Sequence, residues 1–218
     1  MIRTLFFDFD GTIHNAVPIY LPALQEVYDE LVEKGMRPEK TWTESEIFPF
    51  LGQTAKEMWD GFAPELSDAE KEAYAEKIRD IEEGLIESGH SKLFDGAFET
   101  LKALKNDYHM VFFSNCSNRY LNLMKKAHHL DDLFHDYLTA ENFAYQPKAK
   151  TLSMVKEYFP AGHLFIGDRH HDFEAGTANG IPTVGCAYGF GGDEIDQATH
   201  TIQTITALPA LLSKQFHQ

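Results

Sequence analysis

Leu5-Phe6-Phe7-Asp8-Phe9-Asp10-Gly11-Thr12, close to the start of the chain, is the stretch of sequence that decides the fold. The residues from Ile2 to Phe7 form a short apolar and aromatic run, which is typical of a buried strand in a parallel sheet. Two aspartates one residue apart end this run, and the glycine that follows allows a sharp turn because it has no Cβ. The stretch therefore predicts a buried strand whose carboxyl end carries two acidic side chains.

The aspartate pair itself predicts a cation site. Two carboxylates at the end of a buried strand are costly to ionise unless a cation lies against them. A hard cation with oxygen ligands meets this need, and Mg²⁺ fits best. The alternative interpretation is a pair of loop aspartates that cap a turn or a helix. The order Asp-x-Asp-Gly-Thr favours phosphate chemistry at a metal, with one carboxylate free to act as a nucleophile.

Composition and charge limit the class of protein. The chain has 218 residues, a formal net charge of -15 and two cysteines. Nucleic acid and anionic membrane are disfavoured as partners because both would be repelled by this charge. With few cysteines, no signal-peptide pattern and no apolar window near the roughly 18 residues of a membrane span, we expect a cytoplasmic protein. No exposed apolar face stands out that would predict an oligomeric state.

The chain divides into three segments by pattern. Residues 1–15 contain the first strand and its loop, residues 16–91 look helical, and residues 92–218 alternate strands with helices. In the helical segment, Ser67-Asp68-Ala69-Glu70 predicts a capping box. The alternation elsewhere predicts a doubly wound parallel α/β sheet built from residues 1–15 and 92–218, with residues 16–91 inserted as a helical domain.

Further polar residues follow the later predicted strands. They are Ser114 and Asn115, then Lys148 in a loop, then Asp168 with Asp172 four residues on. Each has a plainer alternative when taken singly: an N-cap for the first pair, a solvated lysine, and a turn with a helix cap for the aspartates. Because ligands bind beyond the carboxyl ends of parallel strands, we expect all of these side chains to meet at one crevice.

Taken together, these residues resemble the four motifs of the haloacid dehalogenase (HAD) superfamily. The motifs are Asp8-Phe9-Asp10-Gly11-Thr12, Ser114-Asn115, Lys148 and Gly167-Asp168-Arg169-His170-His171-Asp172. Within the superfamily, the chain is similar to the phosphoglycolate phosphatase-like branch with a helical type I cap. The resemblance implies a Rossmann-like core and a cap that covers the active site and selects the substrate.

The resemblance also implies a role for each motif residue. Asp8 would be the nucleophile that forms an aspartyl-phosphate, and Asp10 would serve as general acid and then as general base. Mg²⁺ would be held by Asp8, by the backbone carbonyl of Asp10, and by Asp168. The phosphate would be bound by Ser114, Asn115 and Lys148, with Asp172 orienting the metal shell or Lys148.

The reaction implied by the resemblance is Mg²⁺-dependent hydrolysis of a small phosphomonoester metabolite. Asp10 disfavours a dehalogenase, because dehalogenase members lack an acid two residues after the nucleophile. A phosphomutase of the same family is an alternative, since it would use the same residues. A catalytically weak phosphate-binding regulatory protein is the alternative from a different class.

The chain departs from the pattern of its relatives at two places. Relatives commonly carry a lysine directly before the third-motif proline, whereas this chain has Gln146-Pro147 there. Either Lys148 or Lys150 would then supply the cation from a shifted loop, or the site would lack its cation, and Lys148 is favoured. The second departure is His14-Asn15-Ala16, where relatives often have Asp-Ser or a similar pair. We expect it to affect specificity or closure, because it leads into the cap, and not the core chemistry.

Overall fold

A computed structural model describes residues 1–216 of the chain. The chain forms two compact units: Met1–Asn15 together with the chain from Leu93 onward, and Ala16–Lys92. Within the described residues, no helix combines the length and the apolarity that crossing a membrane requires.

The first unit is built around one parallel sheet. Its strands, with two further short strands, are β1 (Thr4–Phe7), β2 (His14–Asn15), β3 (Lys92–Leu93), β4 (His109–Ser114), β5 (Asp136–Thr139), β6 (His163–Gly167), β7 (Thr183–Cys186) and β8 (His200–Ile202). Six of them form a sheet in the order β5-β4-β1-β6-β7-β8, and β2 pairs with β3. Every neighbouring pair in the six-stranded sheet is parallel. The predicted doubly wound α/β fold is confirmed.

The helices connect the strands in the first unit and make up most of the second. They are α1 (Val17–Glu33), α2 (Glu44–Ile47), α3 (Ala55–Phe62), α4 (Asp68–Glu87), α5 (Ala97–Leu104), α6 (Asn118–His128), α7 (Lys148–Val155), α8 (His170–Ala178) and α9 (Leu208–Phe216). Short 3₁₀ turns lie at Phe48–Phe50, Leu130–Asp132, Glu141–Phe143, Lys156–Tyr158, Gly192–Gln197 and Ile205–Ala207.

Strand β1 lies at the centre of the sheet, and this position fixes the location of the site. Phe7, its last residue, lies beside Phe112 of β4 on one side and Ile166 of β6 on the other. All four residues of β1 are fully buried, as the apolar run predicts. The chain runs outward from β1 to β4 and β5 and later continues on the opposite side through β6, so the winding reverses at β1. A crevice opens at such a reversal, beyond the carboxyl ends of the strands.

The helical unit is stabilised by an aromatic interior. Trp59 is 1% exposed and stacks on Tyr74 with ring centroids 5.7 Å apart. Phe62 contacts Tyr28, Trp42 and Trp59 edge to face or tilted. Such pairs add to the free energy gained from burying their surface. The predicted capping box of α4 is present, with Ser67 as its N-cap.

The starts of two helices depend on local backbone chemistry. Helix α6 begins at Asn118, because Ser117 and not Ser114-Asn115 accepts the first-turn backbone N–H, from Tyr120 at 3.2 Å. Helix α7 begins at Lys148, directly after a proline that fixes the backbone for a helix start. Strand β8 was not predicted, since its three residues carry too little periodicity to be recognised.

Candidate active site

The carboxyl ends of three neighbouring strands bring three predicted site residues to one edge of the sheet. Asp8 follows β1, Ser114 ends β4, and Asp168 follows β6. All three are buried, with relative exposures of 4%, 4% and 0%. The backbone N–H of Asp8 donates to Ile166 at 2.9 Å, which continues the ladder and holds the carboxylate at the strand end.

The turn after Asp8 packs directly against Asp168. Gly11 has a φ of 85°, and a Cβ at this position would lie 2.1 Å from Oδ2 of Asp168. Only glycine therefore fits the turn. The Thr12 hydroxyl donates to Oδ1 of Asp168 at 3.3 Å. The order Gly-Thr within this stretch thus has a local steric and hydrogen-bonding reason, and it joins the first acidic segment to the last one.

Lys148 lies between two carboxylates. Its Nζ donates to Oδ1 of Asp8 and to Oδ1 of Asp172, each at 2.7 Å, and its side chain is 3% exposed. Lys150 is exposed, and Gln146 is half-buried. Lys148 lies on the first turn of α7 and not in a loop, which corrects the sequence-based placement. Of the two lysines considered from sequence, Lys148 is the one in contact with Asp8.

The loop that precedes Lys148 has an unusual backbone. Ala144 and Tyr145 both have positive φ angles, 53° and 55°. The Tyr145 backbone N–H donates to Ala140 at 2.8 Å, so the chain turns tightly after β5. This turn brings Pro147 to the start of α7. Lys148 reaches the acidic cluster from the helix, although the usual lysine position two residues earlier holds glutamine.

The buried carboxylates repel one another and are poorly solvated. Burial and then the neighbouring Asp172 raise the pKa of Asp8 to about 7, against the opposing effect of Lys148. Burial, Asp8 and Asp172 also raise the pKa of Asp168 well above its usual value. Burial alone would lower the pKa of Lys148, but its two carboxylate partners outweigh burial and raise it. A further positive charge would allow the acids to ionise together.

The acidic cluster suits a divalent hard cation. Asp8, Asp168 and Asp172 each offer a carboxylate oxygen, and these oxygens lie within 4.8 Å of one another. When ionised, the three acids and Lys148 carry two net negative charges. Oxygen ligands at a buried anionic point are what Mg²⁺ requires. The metal set implied by the resemblance uses the backbone carbonyl of Asp10 and does not include Asp172. The side chain of Asp10 is not part of the cluster of three carboxylates.

Asp10 lies next to the cluster but has different partners. Its Oδ1 lies 2.7 Å from Nδ1 of His14, within hydrogen-bond distance, and accepts from the hydroxyl of Tyr120 at 2.8 Å. Its side chain is 19% exposed, in contrast to the nearly inaccessible side chain of Asp8. Neither His14 nor Tyr120 was among the site residues predicted from sequence. The i,i+4 spacing of Asp10 and His14 was the only signal for the contact.

Ser114 is the last residue of β4, and Asn115 follows it. Strand β4 lies on the opposite side of β1 from β6, the strand that Asp168 follows. The Ser114 hydroxyl accepts the backbone N–H of Cys116 at 3.3 Å, and Asn115 is half-buried. Neither residue caps α6, so the N-cap alternative for this pair is wrong. Burial raises the pKa of the neighbouring Cys116 thiol to about 12, which is consistent with a structural cysteine.

A loop after β7 braces Asp168, and sequence reasoning missed it. The backbone N–H of Phe190 donates to Oδ2 of Asp168 at 2.7 Å. A Cβ on Gly189 or Gly191 would lie 2.4 Å or less from a backbone oxygen, so only glycine allows the loop to approach this closely. Arg169 pairs with Glu194 of the following 3₁₀ turn through Nε at 2.9 Å. The repeated glycines after β7 were the available sequence signal.

Comparisons with known proteins agree with this geometry. The family model described as haloacid dehalogenase-like hydrolase matches residues 5–186. Pyrophosphatase PpaX of Listeria monocytogenes is 26% identical over 201 residues, which cover 88% of this chain and 87% of that protein.

Solved structures share the whole fold. A haloacid dehalogenase-like hydrolase from Streptococcus pneumoniae superposes with a TM-score of 0.80 at 19% identity, covering 97% of this chain and 98% of the other. A predicted phosphoglycolate phosphatase from Haemophilus somnus superposes with a TM-score of 0.77 at 19% identity, covering 96% and 97%. Since the family model spans most of the chain, and includes the ends of β1, β4 and β6, the protein belongs to the haloacid dehalogenase-like hydrolase family.

Proposed function

We propose that the protein is a Mg²⁺-dependent phosphatase that hydrolyses a small phosphomonoester through an aspartyl-phosphate on Asp8. One observation carries the proposal: a buried Asp8 carboxylate contacts Lys148 and lies in a carboxylate cluster at the carboxyl edge of a parallel sheet. Buried unlike charges are a poor route to stability, so their retention here favours a chemical role.

In this proposal, the metal is held by Asp8, Asp168 and the backbone carbonyl of Asp10, with Asp172 as an additional or supporting acid. When bound, Mg²⁺ would neutralise the charge that Asp8 and a phosphate dianion bring together. Lys148 and Asp172 contribute without the metal, since their ion pair holds the Lys148 ammonium against Asp8.

The protein side chains then divide the chemistry among them. A carboxylate oxygen of Asp8 attacks phosphorus, and the bond from phosphorus to the leaving oxygen breaks. Asp10 donates a proton to that leaving oxygen and later accepts one from the water that hydrolyses the aspartyl-phosphate. The phosphate oxygens are bound by Ser114, the backbone N–H of Asn115 and Lys148.

Asp10, two residues after Asp8, indicates the kind of leaving group and with it the substrate class. An acid beside the nucleophile is useful when the leaving oxygen needs a proton, as in an alkyl phosphomonoester. A phosphoanhydride such as inorganic pyrophosphate is a second candidate, because the relatives at 26% identity bear the name pyrophosphatase. The helical unit, Ala16–Lys92, is proposed to act as the cap that selects between such substrates, on the basis of its insertion directly after the first motif.

The test is phosphate release from p-nitrophenyl phosphate, a panel of small phosphomonoesters and pyrophosphate, with Mg²⁺ or with a chelator. We expect turnover that requires Mg²⁺ and falls at least about 10⁴-fold in Asp8→Asn, as for loss of a nucleophile. Asp107→Asn, a change to an exposed acid, is the matched control and is expected to behave as wild type.

Each other result has a definite meaning. Turnover that survives Asp8→Asn would overturn the assignment of the nucleophile. Transfer of phosphate to a second hydroxyl of the substrate, without release, would identify a mutase. Absence of turnover in a folded protein that binds Mg²⁺ and a phosphate analogue would favour a regulatory binding protein.

A further inference from the structure

His14 and Tyr120 hold one oxygen of Asp10 from two sides. Both side chains contact the same atom, Oδ1: Nδ1 of His14 lies at 2.7 Å, and the Tyr120 hydroxyl donates to it at 2.8 Å. Neither residue belongs to the four motifs.

The local backbone explains why His14 reaches Asp10. The amides of Ile13 and His14 both donate to the carbonyl of Phe9, at 2.8 Å and 2.9 Å. The amide of Gly11 donates to the carbonyl of His14 at 2.9 Å, which closes the turn. The side chain of His14 is thereby folded back onto Asp10, four residues earlier in the chain.

Packing keeps the imidazole of His14 in this orientation. Its ring is fully buried and stacks on Phe9, with centroids 5.1 Å apart and an interplanar angle of 6°. The ring of Tyr120 packs edge to face on Phe9 at 6.5 Å. Phe9, which lies between Asp8 and Asp10 in the sequence, therefore packs against both His14 and Tyr120. A side chain packed in this way loses little further entropy when its hydrogen bond forms.

We propose that His14 and Tyr120 are positioning residues that hold the Asp10 carboxyl group in one orientation. Two hydrogen bonds at the same oxygen, made by side chains that both pack on Phe9, restrain rotation of the carboxyl group. A general acid gains rate from being held in the reactive orientation. His14 acts on the chemistry and not on the helical unit alone, which differs from the sequence-based expectation.

The inference rests on the proposed function, and leaving-group dependence tests it. Phenolate with a nitro group leaves readily without a proton, whereas an alkoxide does not, so only the alkyl substrate depends on a well-oriented acid. For Tyr120→Phe we expect kcat/KM to fall about tenfold on an alkyl phosphate, the value of one hydrogen bond to a charged group, and about twofold or less on p-nitrophenyl phosphate.

Substitutions at position 14 give a second, independent measurement. His14→Asn keeps a side-chain amide that can hydrogen-bond to Asp10, whereas His14→Leu keeps the bulk and removes the hydrogen bond. We expect the asparagine variant to retain more of the alkyl phosphate activity than the leucine variant. Tyr137→Phe is the matched control, because it removes a hydroxyl that donates to Asp131 at the same distance of 2.8 Å outside the site.

A double-mutant cycle separates positioning from folding. In an Asp10→Asn background, adding Tyr120→Phe is expected to cause no further loss on the alkyl phosphate. Equal losses on both substrates, or an undiminished loss in the Asp10→Asn background, would overturn the inference and leave the proposed function intact. Absence of phosphate release by the wild-type protein would overturn the proposed function and the inference with it.

Discussion

In the α/β unit, a lysine and two aspartates form ion pairs inside the protein, whereas in the helical unit the ion pairs lie at the surface. The side chains of Asp8, Lys148 and Asp172 are 6%, 3% and 1% exposed. In the helical unit, Lys34 and Glu30 pair with exposures of 51% and 27%. Within the described residues, every buried ionisable Asp, Lys, Arg or His side chain belongs to the α/β unit.

The difference shows that the α/β unit buries charges at a place where apolar side chains would stabilise the fold at least as well. Buried charges must be desolvated, and their attraction rarely exceeds what apolar packing would provide at the same place. The helical unit has the apolar solution, with Trp59 packed on Tyr74. The α/β unit keeps its charges where three strands end. Buried charge therefore coincides with the proposed active site, and we expect substitutions there to lower activity and substitutions in the helical unit to lower stability.

After the loss of the nucleophile in Asp8→Asn, the largest effect is expected when the buried cation of the α/β unit is removed. Lys148→Met should lower kcat/KM by about 10²- to 10³-fold, as for loss of one electrostatic group in an active site. Lys150→Met, the same change two residues on at an exposed position, should leave kcat/KM within about twofold. Steady-state kinetics of both variants provides the measurement. Equal losses would show that Lys148 has no special role.

Metal binding should show the cost of gathering these acids. Burial and Asp172 raise the pKa of Asp8 to about 7, so near neutrality the metal-free protein holds a proton that a bound cation must displace. Below pH 7, Mg²⁺ affinity should therefore increase with pH, by up to about tenfold per pH unit for one proton released. Titration calorimetry in buffers of different ionisation enthalpy counts the proton. A heat of binding that is independent of the buffer would contradict this prediction.

The helical unit should respond through stability. Ser67→Ala removes the N-cap hydroxyl that accepts the Glu70 amide, and we expect a loss of about 1 kcal/mol in the free energy of unfolding. Ser153→Ala, at an exposed position inside α7, is the matched control and should cost nothing. Denaturant unfolding followed by circular dichroism measures both. A loss of kcat/KM in Ser67→Ala, measured where the variant is still folded, would contradict the division between the units.

The smallest effect is expected at a surface ion pair of the helical unit. Lys56 pairs with Asp60 one turn along α3, and its side chain is 80% exposed. Because solvent and salt screen such a pair, Lys56→Gln should leave the denaturation midpoint nearly unchanged, and any difference should vanish at high salt. Loss of stability as large as that of Ser67→Ala would show that charge matters in this unit too.

Much of the fold could be predicted because its signals are local. The apolar run ending at Phe7 identified the central strand, and Ser67 with Glu70 identified the start of α4. Short elements with weak periodicity were harder, since β8 has three residues and could not be distinguished from a loop. The N-cap of α6 could not be identified from sequence, because Ser114 and Ser117 offer the same capping chemistry.

The site divides in the same way. The sequence by itself determined the acids and their order, because a strand end, a turn glycine and a helix start each leave a short-range pattern. Only the tertiary structure decided which lysine contacts Asp8, which acid completes the cluster with Asp8 and Asp168, and that Tyr120 holds Asp10. These contacts join residues far apart in the chain: Lys148 and Asp8 are separated by 140 positions, and Tyr120 and Asp10 by 110. Their geometry depends on which strands lie side by side in the sheet, and β1 pairs with β4 and β6, which lie more than 100 residues further along the chain.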